Sequence, residues 1–198
     1  GAGTLTIDPT GSFDTMSDAI LVNVDDFTIT NDGSITAGDD AIDADTVLGL
    51  TVVNNGTIMT GDDGIDAADN LTVTNAGMIM ADDSGIAAGD SLALTNSGTI
   101  SAVDNAIDIG DDGVITNAMG GLIETTDAAD TIEAGDNLTI TNNGSIRNDS
   151  IDTKIVDAGD GLTVVNNGLI ISTQADGKGI EGEENFTLTY NAGGRIES

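Results

Sequence analysis

The phrase Leu71-Thr72-Val73-Thr74-Asn75-Ala76-Gly77-Met78-Ile79 recurs with small variations along the whole 198-residue chain, and this recurrence limits the possible folds more than any other feature. Leu71 and Val73 are apolar at i and i+2 with polar Thr72 and Thr74 alternating between them, the period of a half-buried strand. Asn75-Ala76-Gly77 then supplies corner residues before the next apolar position, Ile79. Alignment on the asparagine gives one column, Asn31, Asn54, Asn75, Asn96, Asn117, Asn142 and Asn166, at spacings of 23, 21, 21, 21, 25 and 24 residues. The apolar pair four and two residues earlier runs from Phe27/Ile29 to Leu162/Val164, with Gly113/Ile115 as its one glycine variant. Two atypical copies bracket these: Leu5/Ile7 with Pro9 in the asparagine position, and Phe186/Leu188 with Tyr190 there.

Each copy carries two more apolar columns. A Gly-x-Ile step after the asparagine gives Ile35, Ile58, Ile79, Ile100, Ile123, Ile146, Ile170 and Ile196. A lone isoleucine before the next pair gives Ile20, Ile42, Ile65, Ile86, Ile107, Ile132, Ile155 and Ile180. No 3.6-residue period is present, and a unit this short cannot bury its own apolar face, so neighbouring copies must stack. The expected fold is all-β: a single-domain, right-handed parallel β-helix over residues 1–198, with three short strands per coil, eight to nine coils of 21–25 residues, and atypical terminal coils near 1–26 and 180–198. Rungs about 4.8 Å apart make a rod roughly 40 Å long. Asparagines stacked at that spacing can hydrogen-bond along the axis, as in cross-β stacks. Asparagine also suits a left-handed corner.

Composition narrows the function. The chain has no cysteine or histidine, which removes disulfides, thiol chemistry, Cys/His zinc ligation and imidazole acid–base catalysis. Its formal charge is −31, and no cationic side chain precedes Arg147; the others are Lys154, Lys178 and Arg195. Phosphate-backbone binding needs Lys and Arg to displace counterions, so nucleic acid is not an expected partner. No apolar run approaches the ~18 residues of a membrane span, so no membrane insertion by this segment is expected, and the opening Gly-Ala-Gly reads as a processed or excised product. The aromatics Phe13, Phe27, Phe186 and Tyr190 all fall in the outer coils, as covers for the ends of the stack or as surfaces for end-to-end contact with further coils or copies.

Copies such as Val73-Thr74-Asn75-Ala76-Gly77-Met78-Ile79, Leu94-Thr95-Asn96-Ser97-Gly98-Thr99-Ile100 and Ile140-Thr141-Asn142-Asn143-Gly144-Ser145-Ile146, joined by acidic Gly-rich links, resemble the passenger-domain repeats of proteobacterial autotransporters. The resemblance covers nearly the whole chain. It implies export through the outer membrane of a Gram-negative cell and display at, or release from, its surface. The C-terminal barrel of such proteins is not in this sequence.

Three chemistries compete for the outward positions. Carboxylate doublets such as Asp62-Asp63 and Asp111-Asp112 have the residue types of a glycosidase pair, but they recur copy after copy whereas an active site is made once. The expectation is a noncatalytic stalk, adhesive or matrix- and filament-forming module. The outward strand positions are mostly threonine, including Thr28, Thr30, Thr72, Thr74, Thr139, Thr141, Thr187 and Thr189. That flat array has the form of an ice-binding face, and it is also what strand propensity favours on a wet face. Lastly, Asp69, Asp90, Asp111, Asp136 and Asp160 form an acidic column, and Asp39, Asp40, Asp62 and Asp63 belong to a second acidic cluster. Carboxylates stacked near 5 Å repel by about 1 kcal/mol in water, so the columns are candidate Ca²⁺ ligands or solvated corners screened by salt.

Overall fold

The computed structural model describes residues 2–127, 129–174 and 176–197. It is an all-β, right-handed parallel β-solenoid of about eight turns, and no helix occurs among the described residues. Three sheets run its length, two of nine strands and one of eight, and every strand pairs in parallel with its counterpart one coil away. The first sheet begins at Thr4–Ile7 and Thr28–Asn31, the second at Ser12–Asp14 and Ser34–Ala37, and the third at Ile20–Leu21 and Ile42–Ala44. Each coil visits the three sheets in that order.

Register puts identical residues over one another. The isoleucine column of the second sheet is continuous from Phe13 over Ile35 to Ile196, and Ile35 through Ile170 are fully buried. Strands of two to four residues alternate inward and outward, so each contributes only one or two core side chains. The apolar columns therefore gain burial from the coils above and below rather than from their own coil.

The asparagine column is the polar part of this core. All seven asparagines are fully buried at the last position of first-sheet strands. Each Nδ2 donates to the Oδ1 of the next: Asn31 to Asn54 and Asn54 to Asn75 at 2.8 Å, Asn75 to Asn96 at 2.9 Å, Asn96 to Asn117 at 3.0 Å, and Asn117 to Asn142 and Asn142 to Asn166 at 2.9 Å. The second Nδ2 hydrogen reaches a backbone carbonyl of the next coil, as in Asn75 to Thr99 O at 3.0 Å. Six amides thus point the same way along the rod, and the burial cost of each is met by its neighbours.

Three local expectations are corrected. In the first coil it is Ile7, not Pro9, that stacks on Asn31, because Leu5 pairs with Ile29. The corner is two residues longer there, six residues from Ile7 to Phe13 against four from Asn31 to Ile35, and a shift of two keeps the same side chains inward. Ile7 ends the amide ladder with an apolar cover, and Asn31 Oδ1 accepts from Gly33 N at 3.1 Å instead. In the third sheet Val156, not Ile155, follows Ile132, and both Ile155 and Val156 are buried. The left-handed corner lies elsewhere than at the asparagine column. Positive φ recurs at Asp26, Gly49, Asn70, Ser91, Asp112, Asn137, Gly161 and Asn185, one residue before the buried leucine position, and all are short polar residues or glycine.

One coil solves its packing differently. The small residue ending most third-sheet strands, such as Ala88 and Ala134, is Ile109 in this coil, and the leucine expected four residues later is Gly113. A Cβ on Gly113 would lie 2.3 Å from Ile109 Cδ1, so the isoleucine fills the volume that a leucine takes in other coils. We predict that Gly113→Leu alone costs about 1–3 kcal/mol by overpacking and Ile109→Ala alone about 2–5 kcal/mol by cavity formation. The double variant restores the Ala/Leu pairing and returns to within about 1 kcal/mol of the parent in urea denaturation; additive losses would contradict the exchange.

Candidate functional site

The outward side of the third sheet gathers negative charge. The residue after the inward isoleucine faces out, and register stacks Asp43, Asp66, Ala87, Asp108, Glu133, Asp157 and Glu181 in one line. Beside it, at the corner leading into the sheet, lie Asp39, Asp40, Asp62, Asp63, Asp83, Asp104 and Asp130. The doublet residues Asp39, Asp40, Asp62 and Asp63 were legible as a cluster in the sequence. The sheet line has a weaker signal of its own, an acidic residue directly after the lone isoleucine in most copies.

Here carboxylates converge. Three groups each bring one oxygen per residue within 4.8 Å of the others: Asp39, Asp40 and Asp62; Asp43, Asp45 and Asp66; and Asp62, Asp63 and Asp83. These clusters have the donor type and spacing to hold a metal ion. Asp40, Asp63 and Asp66 are each raised from 3.8 to about 6, chiefly by burial, with neighbouring carboxylates adding to the effect. Asp43, Asp108 and Asp130 are raised for the same main reason.

The Gly-Asp column behaves otherwise. Asp69 Oδ1 accepts from the backbone N–H of Asp90 at 2.9 Å, and Asp90, Asp111 and Asp136 accept likewise from Asp111, Asp136 and Asp160 at 2.8 Å. Asp160 accepts from Glu184 N, also at 2.8 Å. The preceding glycines are required by this arrangement, since a Cβ on Gly89, Gly110, Gly135 or Gly159 would lie 2.2–2.3 Å from the incoming carboxylate oxygen. One oxygen of each of these carboxylates is thus turned onto a backbone N–H donor, and none of the five belongs to the converging clusters found among the described residues. Their role in the fold is to cap one coil with the carboxylate of the last.

Cations appear only where the chain supplies them. Lys154 Nζ bridges Asp157 and Glu181, one coil apart in the acidic line, the latter at 3.3 Å. Arg147 joins Glu124 at 3.5 Å and Asp149 at 2.6 Å on the second sheet. The remaining outward face, that of the first sheet, stacks Thr28 over Thr51 and Thr72, and Thr139 over Thr163 and Thr187, all at least partly exposed. Thr30, Thr74, Thr141 and Thr189 occupy the parallel outward line. Strand propensity favours threonine on such a face whether or not a ligand binds it.

No protein-family model, curated protein or solved structure matches this chain.

The raised carboxyls fix a pH dependence. Because Asp40, Asp63 and Asp66 hold protons more tightly folded than unfolded, their contribution is full below about pH 4 and is lost as pH rises through about 6. The thermal midpoint is expected to fall between pH 4 and pH 7 at constant ionic strength in metal-free buffer. Asp63→Asn with Asp66→Asn should flatten the slope, and a midpoint that rises across this window would contradict the assignment.

Proposed function

We propose that this chain is a noncatalytic, secreted or cell-surface β-helical module, a stalk or adhesive segment of the kind found in autotransporter passengers, with Ca²⁺ held along its acidic third face. The observation that carries this reading is the unbroken register of three sheets from the first coil to the last. A stack in which each coil contacts only its neighbours is a stiff spacer whose length is set by coil number. What one coil presents outward the next presents again, which suits repeated weak contacts and spacing better than a catalytic centre made once. Uniform negative charge keeps such rods from adhering to one another.

The calcium component rests on the three converging carboxylate groups, whose oxygen-only donors match a hard cation that tolerates irregular geometry. An extracellular setting supplies that ion at concentrations where weak sites fill. Surface exposure and cation loading are tested together by adding protease to intact producing cells. The chain is expected to be cleaved without cell lysis, and faster in chelator than in Ca²⁺ at matched ionic strength, because the ion stabilises the folded coil. Protection until lysis would sink the surface assignment. Equal cleavage rates in Ca²⁺, Mg²⁺ and chelator would sink the calcium assignment alone.

A further inference from the structure

On the second sheet one outward line reads Thr36, Met59, Met80, Ser101, Glu124 and Arg147, in register from coil to coil. Met59 and Met80 are neighbours in this line and stand 44% and 41% exposed, and Val103, at the corner of the next coil, is 39% exposed. Three large apolar side chains on consecutive coils thus meet solvent at positions where threonine or serine would serve the strand as well. A furrow runs beside them. Met59, Met80, Ser101 and Val103 line a cleft of about 220 Å³. An adjoining cleft of about 330 Å³ shares Met59 and Asp82 with it, and another of about 260 Å³ shares Asp82 and Val103. From Thr36 to Thr126 the furrow crosses five coils, about 19 Å along the rod.

The wall opposite the methionines is acidic. Asp82 lies in the furrow, and Asp83, Asp104 and Asp127 follow beside it on successive coils. Asp104 N donates to Asp83 O at 3.3 Å, which keeps this row in register. No cationic side chain precedes Arg147, and Arg147 itself is paired with Glu124 and Asp149, so the chain brings no free positive charge to the row. The two walls together select the occupant. A bare cation would leave the methionines wet, and a neutral apolar ligand would desolvate the carboxylates without pairing them. An anionic ligand or lipid surface would be repelled. Positive charge and apolar surface on one face of the same molecule satisfy both walls. Methionine suits such a partner, because its unbranched, polarizable side chain adapts to irregular apolar shapes.

We infer that this furrow docks a cationic amphipathic peptide segment of a partner protein. The segment's apolar side chains seat on Met59, Met80 and Val103, and its Lys or Arg heads reach Asp82, Asp83, Asp104 and Asp127. Long cationic side chains do both at once, since their methylene stems lie along apolar surface while their heads meet the carboxylates. The acidic row speeds encounter and fixes which edge of the peptide faces the corner, and the methionine pair supplies the burial. The inference gives the adhesive reading a partner class, but it rests neither on bound Ca²⁺ nor on where the protein is displayed.

Methyl NMR of the full chain labelled at methionine, titrated with a synthetic amphipathic Leu/Lys peptide in metal-free buffer at physiological ionic strength, tests docking by position. The Met59 and Met80 signals are expected to shift saturably, while that of Met119, 86% exposed at the corner between the first and second sheets, stays in place. A lysine-only peptide of equal charge should bind about tenfold more weakly or worse and leave Met59 and Met80 nearly unmoved. Met59→Thr with Met80→Thr, which extends the residue type of Thr36 along the same line, should weaken the Leu/Lys peptide by about tenfold or more in titration calorimetry. Asp104→Asn with Asp127→Asn should weaken it too and flatten its salt dependence. Equal shifts at Met119, equal affinity for the lysine-only peptide, or unchanged affinity in the methionine variant would overturn the inference and leave only general attraction to an acidic rod.

Discussion

A buried side-chain amide has two donors and an acceptor to satisfy, and in this chain the next coil satisfies them. Asn31 through Asn166 pass hydrogen bonds along the axis, amide to amide and amide to carbonyl. The consequence is positional. A coil that slipped by one residue would turn its isoleucines outward and leave two amides unpaired in the interior, so hydrophobic and polar penalties fall on the same error. Apolar burial drives the stacking, while the ladder selects the register. The Gly-Asp corners add a second lock, because each carboxylate holds the backbone N–H of the coil that follows.

The same in-register stacking creates the electrostatic problem on the surface. Identical residues one coil apart are harmless when they are threonine and repulsive when they are aspartate. The chain answers in three ways. Asp69 through Asp160 turn onto backbone donors. Lys154 and Arg147 supply cations near the C-terminal coils. Between Asp39 and Asp83 the carboxyls meet one another, and burial holds Asp40, Asp63 and Asp66 near 6.

The apolar columns and the asparagine column were legible in the sequence because a period of two within strands and 21–25 between them leaves one way to bury both. What escaped was local. Leu5 and Ile7 fit either of two registers, since a shift of two preserves which side chains face inward, and only the longer corner before Phe13 distinguishes them. Ile155 and Val156 are adjacent and both apolar, so pattern alone does not say which joins the sheet. The left-handed column at Asp26, Asn70, Asp112 and Asn137 has a signal, its uniformly short and polar character, but the same residue types also occur at the buried asparagine column, so composition alone does not separate the two. Asp90 and its neighbours read as a bare acidic column because a sequence shows a carboxylate but not the backbone N–H that one of its oxygens faces.

The central claim is that one line of seven asparagine amides, sealed from solvent, fixes the stacking of the coils. Hydrogen exchange of the asparagine side-chain NH₂ groups, followed by NMR in the intact chain, tests it most directly. The account predicts that the carboxamide protons of Asn54, Asn75, Asn96, Asn117 and Asn142 exchange as slowly as the surrounding strand amides, opening only with the coils themselves. The exposed Asn55 and Asn143 should exchange far faster. Rapid exchange of the column amides while the backbone of the same strands stays protected would contradict it.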